Sequence, residues 1–230
     1  MRYLIVNADD FGNSAGINRG IIEAHERGIV TSTSLMVNTP ATEEAIGLAG
    51  EHPRLGIGLH VNFTGEGEQI VDMEDRDQVK RELDLQFNRF LDLMGQLPTH
   101  IDSHQNVHRE FNVGGFFIDL SRRHGLPLRG YCDVAYDSWF YGQWELGVTK
   151  EECIGVEFLI ARLKVAKAGF TELSCHPGYV TDSFKPLYNR EREIEIKTLT
   201  DPRVKTAIEE EGIKLVNYRD YLAFSHGNKP

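Results

Sequence analysis

Seven short strand-like segments, bounded by turn chemistry, constrain this 230-residue chain more than any other feature. They are Tyr3 to Val6, Val30 to Val37, Leu55 to Leu59, Thr99 to Ser103, Leu126 to Arg129, Phe170 to Cys175 and Ile213 to Val216. The first of them, an apolar run, reads as a strand buried on both faces, as in parallel sheets covered by helices. Between the segments apolar residues recur at helical spacing. Ile17, Ile21 and Ile22 follow a Ser14 cap and precede Gly28; Val79, Leu83, Phe87, Phe90, Leu91 and Met94 precede Pro98; Val113, Phe116, Phe117 and Leu120 precede Gly125. Further helices are expected near Thr42 to Ala49, Lys150 to Ala168, Asn189 to Leu199 and Tyr218 to Phe224. Within these, the charged run Arg190 to Lys197 reads as a solvated helix face. Strands alternating with helices make βαβ units, and the economical result is an α/β fold of about seven parallel strands, an irregular TIM-like barrel. Such barrels reach this length as one core, so a single domain over residues 1–230 is expected.

Three stretches lack periodicity. Thr64 to Asp75 is polar and acidic, Gly130 to Gly147 is rich in Trp, Tyr and Gly and reads as a long loop over the barrel mouth, and His226 to Pro230 reads as a frayed end. The formal charge of −10 argues against a nonspecific nucleic-acid surface or a polybasic membrane anchor and suits a small neutral substrate. Cys132, Cys153 and Cys175 are odd in number and widely spaced, which suggests neither a disulfide framework nor a zinc knuckle. No signal-peptide pattern follows Met1 and no run nears the ~20 apolar residues of a membrane span, so a reduced, cytoplasmic protein is expected. The helical stripes are also compatible with packing in a homo-oligomer.

In parallel α/β folds, ligands bind beyond the carboxyl ends of the strands. The first run enters Asn7-Ala8-Asp9-Asp10-Phe11-Gly12, and three others lead into His60, His104 and His176. Two histidines and a carboxylate can hold a divalent cation that activates water or polarises a carbonyl; Asp10, His60 and His104 are such a set. Asp9 is then available as a general base and His176 as a proton donor to a leaving group. This is the outline of a hydrolase with one divalent metal ion. Imidazole ligands favour zinc, while magnesium prefers oxygen; magnesium or another divalent ion stays open.

The segments Asn7-Ala8-Asp9-Asp10-Phe11-Gly12, Gly58-Leu59-His60, Thr99-His100-Ile101-Asp102-Ser103-His104, Val107-His108 and Cys175-His176-Pro177 resemble, in order and spacing, the YdjC-like carbohydrate deacetylases. Phe140-Tyr141-Gly142 and Tyr218-Arg219-Asp220 extend the resemblance over essentially the whole chain. It implies a distorted β/α barrel with one divalent metal that removes acetyl groups from N-acetylated sugars, notably chitooligosaccharides. It also implies Asp10, His60 and His104 as ligands, Asp9 as base and His176 as acid. Two departures are visible: Gln105 stands where the family often has a further histidine, and the stretch after Phe63-Thr64 is short. Both fall where the sugar is expected, so the reaction is better constrained than the sugar.

Weaker substrate-contact candidates are His108, Arg129, Trp139 and Tyr141. Each site residue also has a blander reading. Asp9 or Asp10 can cap the turn into the first helix, His60 and His104 can be hydrogen-bonded structural histidines, and His176 can be a turn residue. Arg129 is either a solvated surface charge or a partner that holds down the pKa of Asp9. Trp139 and Tyr141 either pack within their loop or offer faces to sugar rings. His25, His52, His100, His124 and His226 read as structural or surface residues. Two other functions fit the same outline. A phosphoesterase would be expected to carry more basic residues for a phosphate clamp, and the loops carrying the site histidines are poor in Lys and Arg; a noncatalytic sugar- or metal-binding protein would need no free base beside the metal.

Overall fold

The computed structural model describes residues 1–65, 69–180, 187–225 and 227; the expected frayed end, Gly227 apart, and His226 with it lie outside the described residues. In chain order the elements are β1 (Arg2–Phe11), α1 (Ala15–Glu26), β2 (Ser32–Leu35), α2 (Thr42–Glu51), β3 (Gly56–Val61), α3 (Arg76–Met94), β4 (Ile101–Ser103), α4 (Gly114–His124), β5 (Val134–Asp137), α5 (Val156–Lys164), β6 (Gly169–Cys175), α6 (Arg190–Leu199), α7 (Pro202–Glu210), β7 (Ile213–Leu215) and α8 (Tyr218–Ser225). The seven strands form one curled parallel sheet in the order β4-β3-β2-β1-β6-β5, with β7 against the amino-terminal half of β1. The expected TIM-like architecture of about seven parallel strands is therefore present. Among the described residues, no helix is long and apolar enough to cross a membrane.

One strand is not where the sequence suggests. Leu126 to Arg129 contributes only an isolated bridge, Leu128 to Ile101, and the fifth strand is Val134–Asp137, inside the stretch expected to be a loop. The cause is a turn at Gly130, which has φ +74° and is spanned by a bond from Tyr131 N to Leu128 O. It ends the first pairing and sends the chain across to pair with β6, so that β5 forms the opposite edge of the sheet. α7 was not expected from apolar spacing, yet it carries a complete start signal: Asp201 accepts from Arg203 N, and Pro202 occupies the first turn.

Strand alternation explains where the chemistry collects. On β1, Leu4, Val6 and Ala8 join the main apolar core with the helices, while Ile5 belongs to a separate cluster with Val134, Phe170 and Tyr218. That second cluster is the floor of the barrel interior. Nearer the carboxyl ends the inward positions turn polar: Asn7 and Asp9 on β1, Ser34 on β2, His60 on β3, Asp102 on β4, Glu172 and Ser174 on β6, all buried. Buried polar groups need partners. The interior of this barrel is accordingly joined by hydrogen bonds and ion pairs.

Candidate metal centre and active site

Consecutive residues of a regular strand point to opposite faces, so adjacent carboxylates should not share a site. β1 solves this with a bulge. Its register against β2 shifts between Ala8 and Phe11, and Asp10 takes φ +71°. The left-handed conformation costs an L-residue roughly 1–2 kcal/mol, least for Gly, Asn and Asp. Gly12, at φ +93°, completes the turn where a Cβ would stand 2.8 Å from the Met36 carbonyl oxygen.

β3 and β4 pair with His60 opposite Asp102. The His60 Nδ1 to Asp102 Oδ1 distance of 2.7 Å sets the ring, and Nε2 is left buried without a hydrogen-bond partner, 3.4 Å from Asp10 Oδ1. His104 Nδ1 lies 3.1 Å from the same oxygen. Ligands at ~2.0–2.1 Å from a tetrahedral zinc stand about 3.3–3.4 Å apart, so these three atoms suit such an ion. The carboxylate behind His60 completes the arrangement usual for metal-binding histidine. Burial disfavours charge on His60, but Asp102 and Asp10 outweigh it and push the ring up to about 10; a cation binding there displaces a proton. Burial likewise works against the Asp10 carboxylate, and Arg192 with the two imidazoles holds it well below the usual carboxylate range.

Asp9 is tied differently. Arg129, 0% exposed, donates from Nη1 to Asp9 Oδ2 at 2.8 Å and from Nη2 to Oδ1 at 2.7 Å. The same guanidinium reaches Asp102 Oδ2 at 2.7 Å and, through Nε, Glu172 Oε1 at 2.8 Å. Of the two readings of Arg129, the solvated surface charge is thus corrected: the group is fully buried and enclosed by the carboxylates of Asp9, Asp102 and Glu172. Burial would raise the Asp9 carboxyl, and Arg129 brings it below its ordinary value. His176 faces this pair, with Nε2 3.8 Å from Asp9 Oδ2, and burial pushes the ring down to about 4.

The other candidates lie around this cluster. His108 is fully buried and turned onto Ser103, with Nδ1 2.6 Å from its Oγ, by the turn in which Gln105 and Asn106 have φ 54° and 55°. Tyr141 stacks on Tyr188 at 4.7 Å and meets His176 edge-on at 5.6 Å. Trp139 is exposed and pairs with Trp144 at 5.4 Å. His100, read as structural, is buried and stacks on Tyr218, whose hydroxyl donates to Glu172.

The sequence reading missed Asp102, Glu172, Arg192 and Glu195. The last two lie in the charged run Arg190 to Lys197, whose pattern predicts a solvated face. Instead Glu191, Arg192 and Glu195 are buried, because each charge finds a partner: Thr149 and Gln143, Asp10, and the Tyr188 hydroxyl with the His176 amide. Burial pushes Glu195 up to about 8 despite those donors. A signal was present, since Arg192, Glu195 and Leu199 share one helix face.

The chain is similar to known proteins over nearly its whole length. The family model described as YdjC-like protein matches residues 3–210. A carbohydrate deacetylase of Geobacillus stearothermophilus is 39% identical, with 96% of this chain and 98% of that one covered. A chitooligosaccharide deacetylase of Enterobacter sp. (strain 638) is 36% identical, covering 95% and 99%. Among solved structures, a putative cellobiose-phosphate cleavage protein of Enterococcus faecalis V583 superposes with TM-score 0.82 at 30% identity, over 96% of this chain and 98% of that one. A family 4 carbohydrate esterase from Streptomyces lividans shares the fold at TM-score 0.58 and 9% identity, covering 93% and 91%. With the family model spanning most of its length and full-length relatives above 30% identity, the chain belongs to the YdjC-like family.

Proposed function

We propose that this chain is a carbohydrate N-deacetylase, a hydrolase that removes N-acetyl groups from a sugar such as an N-acetylglucosamine oligosaccharide and releases acetate. The whole chain acts as one catalytic domain in this reading, with Asp10, His60 and His104 holding one divalent ion, zinc by ligand chemistry. Three free thiols suit a reducing compartment, and a cytoplasmic setting is part of the same reading. The names of the full-length relatives support the reaction. The observation that carries it is the division between adjacent acids: Asp10 faces two imidazoles, while Asp9 is paired with Arg129 and faces His176.

When bound, the cation supplies polarisation of the acetyl carbonyl and stabilises the negative charge developing on its oxygen. The proton work belongs to the chain. Asp9, kept ionised by Arg129, takes the proton of the attacking water. The half-buried His176 ring is pushed down to about 4 by desolvation and is neutral, so it must receive a proton before giving one; its Nε2 is 3.8 Å from Asp9 Oδ2, within range of a proton passed through the reacting groups. The ring then protonates the leaving nitrogen, the C–N bond breaks, and acetate and a free amine result.

Acetate release tests the reading. Zinc-loaded protein incubated with N-acetylglucosamine oligomers should release acetate, lose that activity with chelator and regain it with metal. Tight sugar binding without turnover would instead indicate a binding protein, and cleavage of a phosphate ester in its place would indicate a phosphoesterase.

The aromatic residues should affect affinity more than chemistry. Trp139→Ala should raise the KM for oligomers several-fold with kcat nearly unchanged, as a lost stacking contact of about 0.5–1.5 kcal/mol implies. Tyr141→Ala should lower kcat as well, because Tyr141 packs against the His176 ring. Equal kcat losses in both variants would contradict this separation.

A further inference from the structure

α6 brings to the candidate metal centre a buried cation to which the mechanism above gives no part. Arg192 is 2% exposed and, among the described residues, donates hydrogen bonds to a carboxylate and two carbonyls. Nη2 donates to Asp10 Oδ2 at 2.6 Å, Nε to the Tyr188 carbonyl at 2.9 Å, and Nη1 to the His176 carbonyl at 3.4 Å. The connection is returned through the backbone, where Gly178 N bonds the Arg192 carbonyl at 3.4 Å. One guanidinium therefore joins the Asp10 carboxylate at the end of β1 to the segment that carries His176 after β6.

Asp10 needs such restraint. Its backbone sits at φ +71°, and a carboxylate free to rotate can bind a cation through one oxygen or through both. With Oδ2 committed to Arg192, Oδ1 is the oxygen that faces His60 Nε2 at 3.4 Å and His104 Nδ1 at 3.1 Å. The planar fork of arginine makes this possible, since it satisfies the carboxylate and both carbonyls at once; a lysine ammonium is a point charge on a flexible stem.

From these contacts we infer that Arg192 is a positioning residue: it presents Asp10 as a one-oxygen metal ligand and couples that ligand to the His176 segment. The inference rests on the reading of Asp10, His60 and His104 as a metal site. A purely electrostatic role has the opposite consequence. A guanidinium beside the site repels a cation, so removing it would tighten metal binding, whereas removing a positioning contact loosens it.

Cobalt(II) serves as the probe. It is titrated into metal-free wild type, Arg192→Met and Arg192→Lys, with affinity from chelator competition and coordination from the visible d–d absorption. Wild type should bind one ion with the intense band of four-coordinate cobalt. Arg192→Met should bind ~10–100-fold more weakly, the usual cost of losing a group behind a metal ligand, and its band should weaken as Asp10 adds its second oxygen or withdraws. Arg192→Lys keeps the charge without the fork and should fall between the two. Circular dichroism of the metal-free proteins separates these effects from misfolding; if Arg192→Met does not fold, the affinity and band of Arg192→Lys decide. Unchanged or tighter binding with an unaltered band in the variants overturns the inference while leaving the metal site standing. Failure of wild type to bind cobalt overturns both.

Discussion

Asp9→Asn should keep its metal and lose ~10²- to 10⁴-fold in rate, the range expected when a general base is removed. Asparagine preserves shape but cannot take the proton of water. Asp10→Ala should fail differently, with bound metal falling sharply along with activity, because one of three protein ligands is gone. The surroundings add a second consequence for Asp9→Asn. Asp9 accepts both Nη1 and Nη2 of Arg129, and Asn7 also donates to its Oδ1 at 2.9 Å. An amide offers one acceptor, so an NH2 group meets Arg129 Nη1, at a cost of about 1–3 kcal/mol for the unmet buried donor. Rates are therefore to be measured well below the melting temperature of the variant. Metal analysis beside the acetate assay separates the two acids: if Asp9→Asn loses metal and Asp10→Ala keeps it, their roles are reversed. Full metal and full activity in both would remove the proposed site altogether.

Arg129→Met should be the most destabilising single change in the barrel interior. It leaves Asp9, Asp102 and Glu172 buried around an uncharged side chain, and breaking such a network from one side costs about 3–5 kcal/mol. Against a total stability of roughly 5–15 kcal/mol, that is enough to lower the melting temperature severely or to prevent folding. Glu172→Gln in the same chain should recover part of the loss, since one buried carboxylate fewer lacks its cation and the two sites touch. Urea unfolding of wild type, single and double variants measures this. A loss below about 1 kcal/mol in Arg129→Met would mean that the cluster is compensated by something other than the guanidinium.

Much of this was legible in order and spacing. Short strand-like segments alternating with amphipathic stretches specify parallel strands and helices, because the face of a strand that meets a helix and the stripe of the helix that covers it both favour apolar side chains. Only the fifth strand was misplaced: Leu126 to Arg129 and Val134–Asp137 are both short, and the choice between them lies in which distant edge each can pair with. Asp9, Asp10, His60, His104 and His176 stood out because carboxylates and imidazoles followed strand-like segments. Arg129 and Arg192 did not, since their partners are distant in the chain: 120 residues separate Arg129 from Asp9 and 182 separate Arg192 from Asp10.

The sequence by itself determined the class of fold, the end of the barrel where chemistry collects and the residue types present there, because periodicity and turn chemistry are local properties. Tertiary structure decided how those residues divide their work. The bulge at Asp10 brought two neighbouring carboxylates to one side, strand register set Asp102 behind His60, and two arginines far along the chain took one acid each. The physical reason is that burying charge is costly unless a counter-charge lies within a few ångströms, and local sequence does not specify which distant segment will supply it.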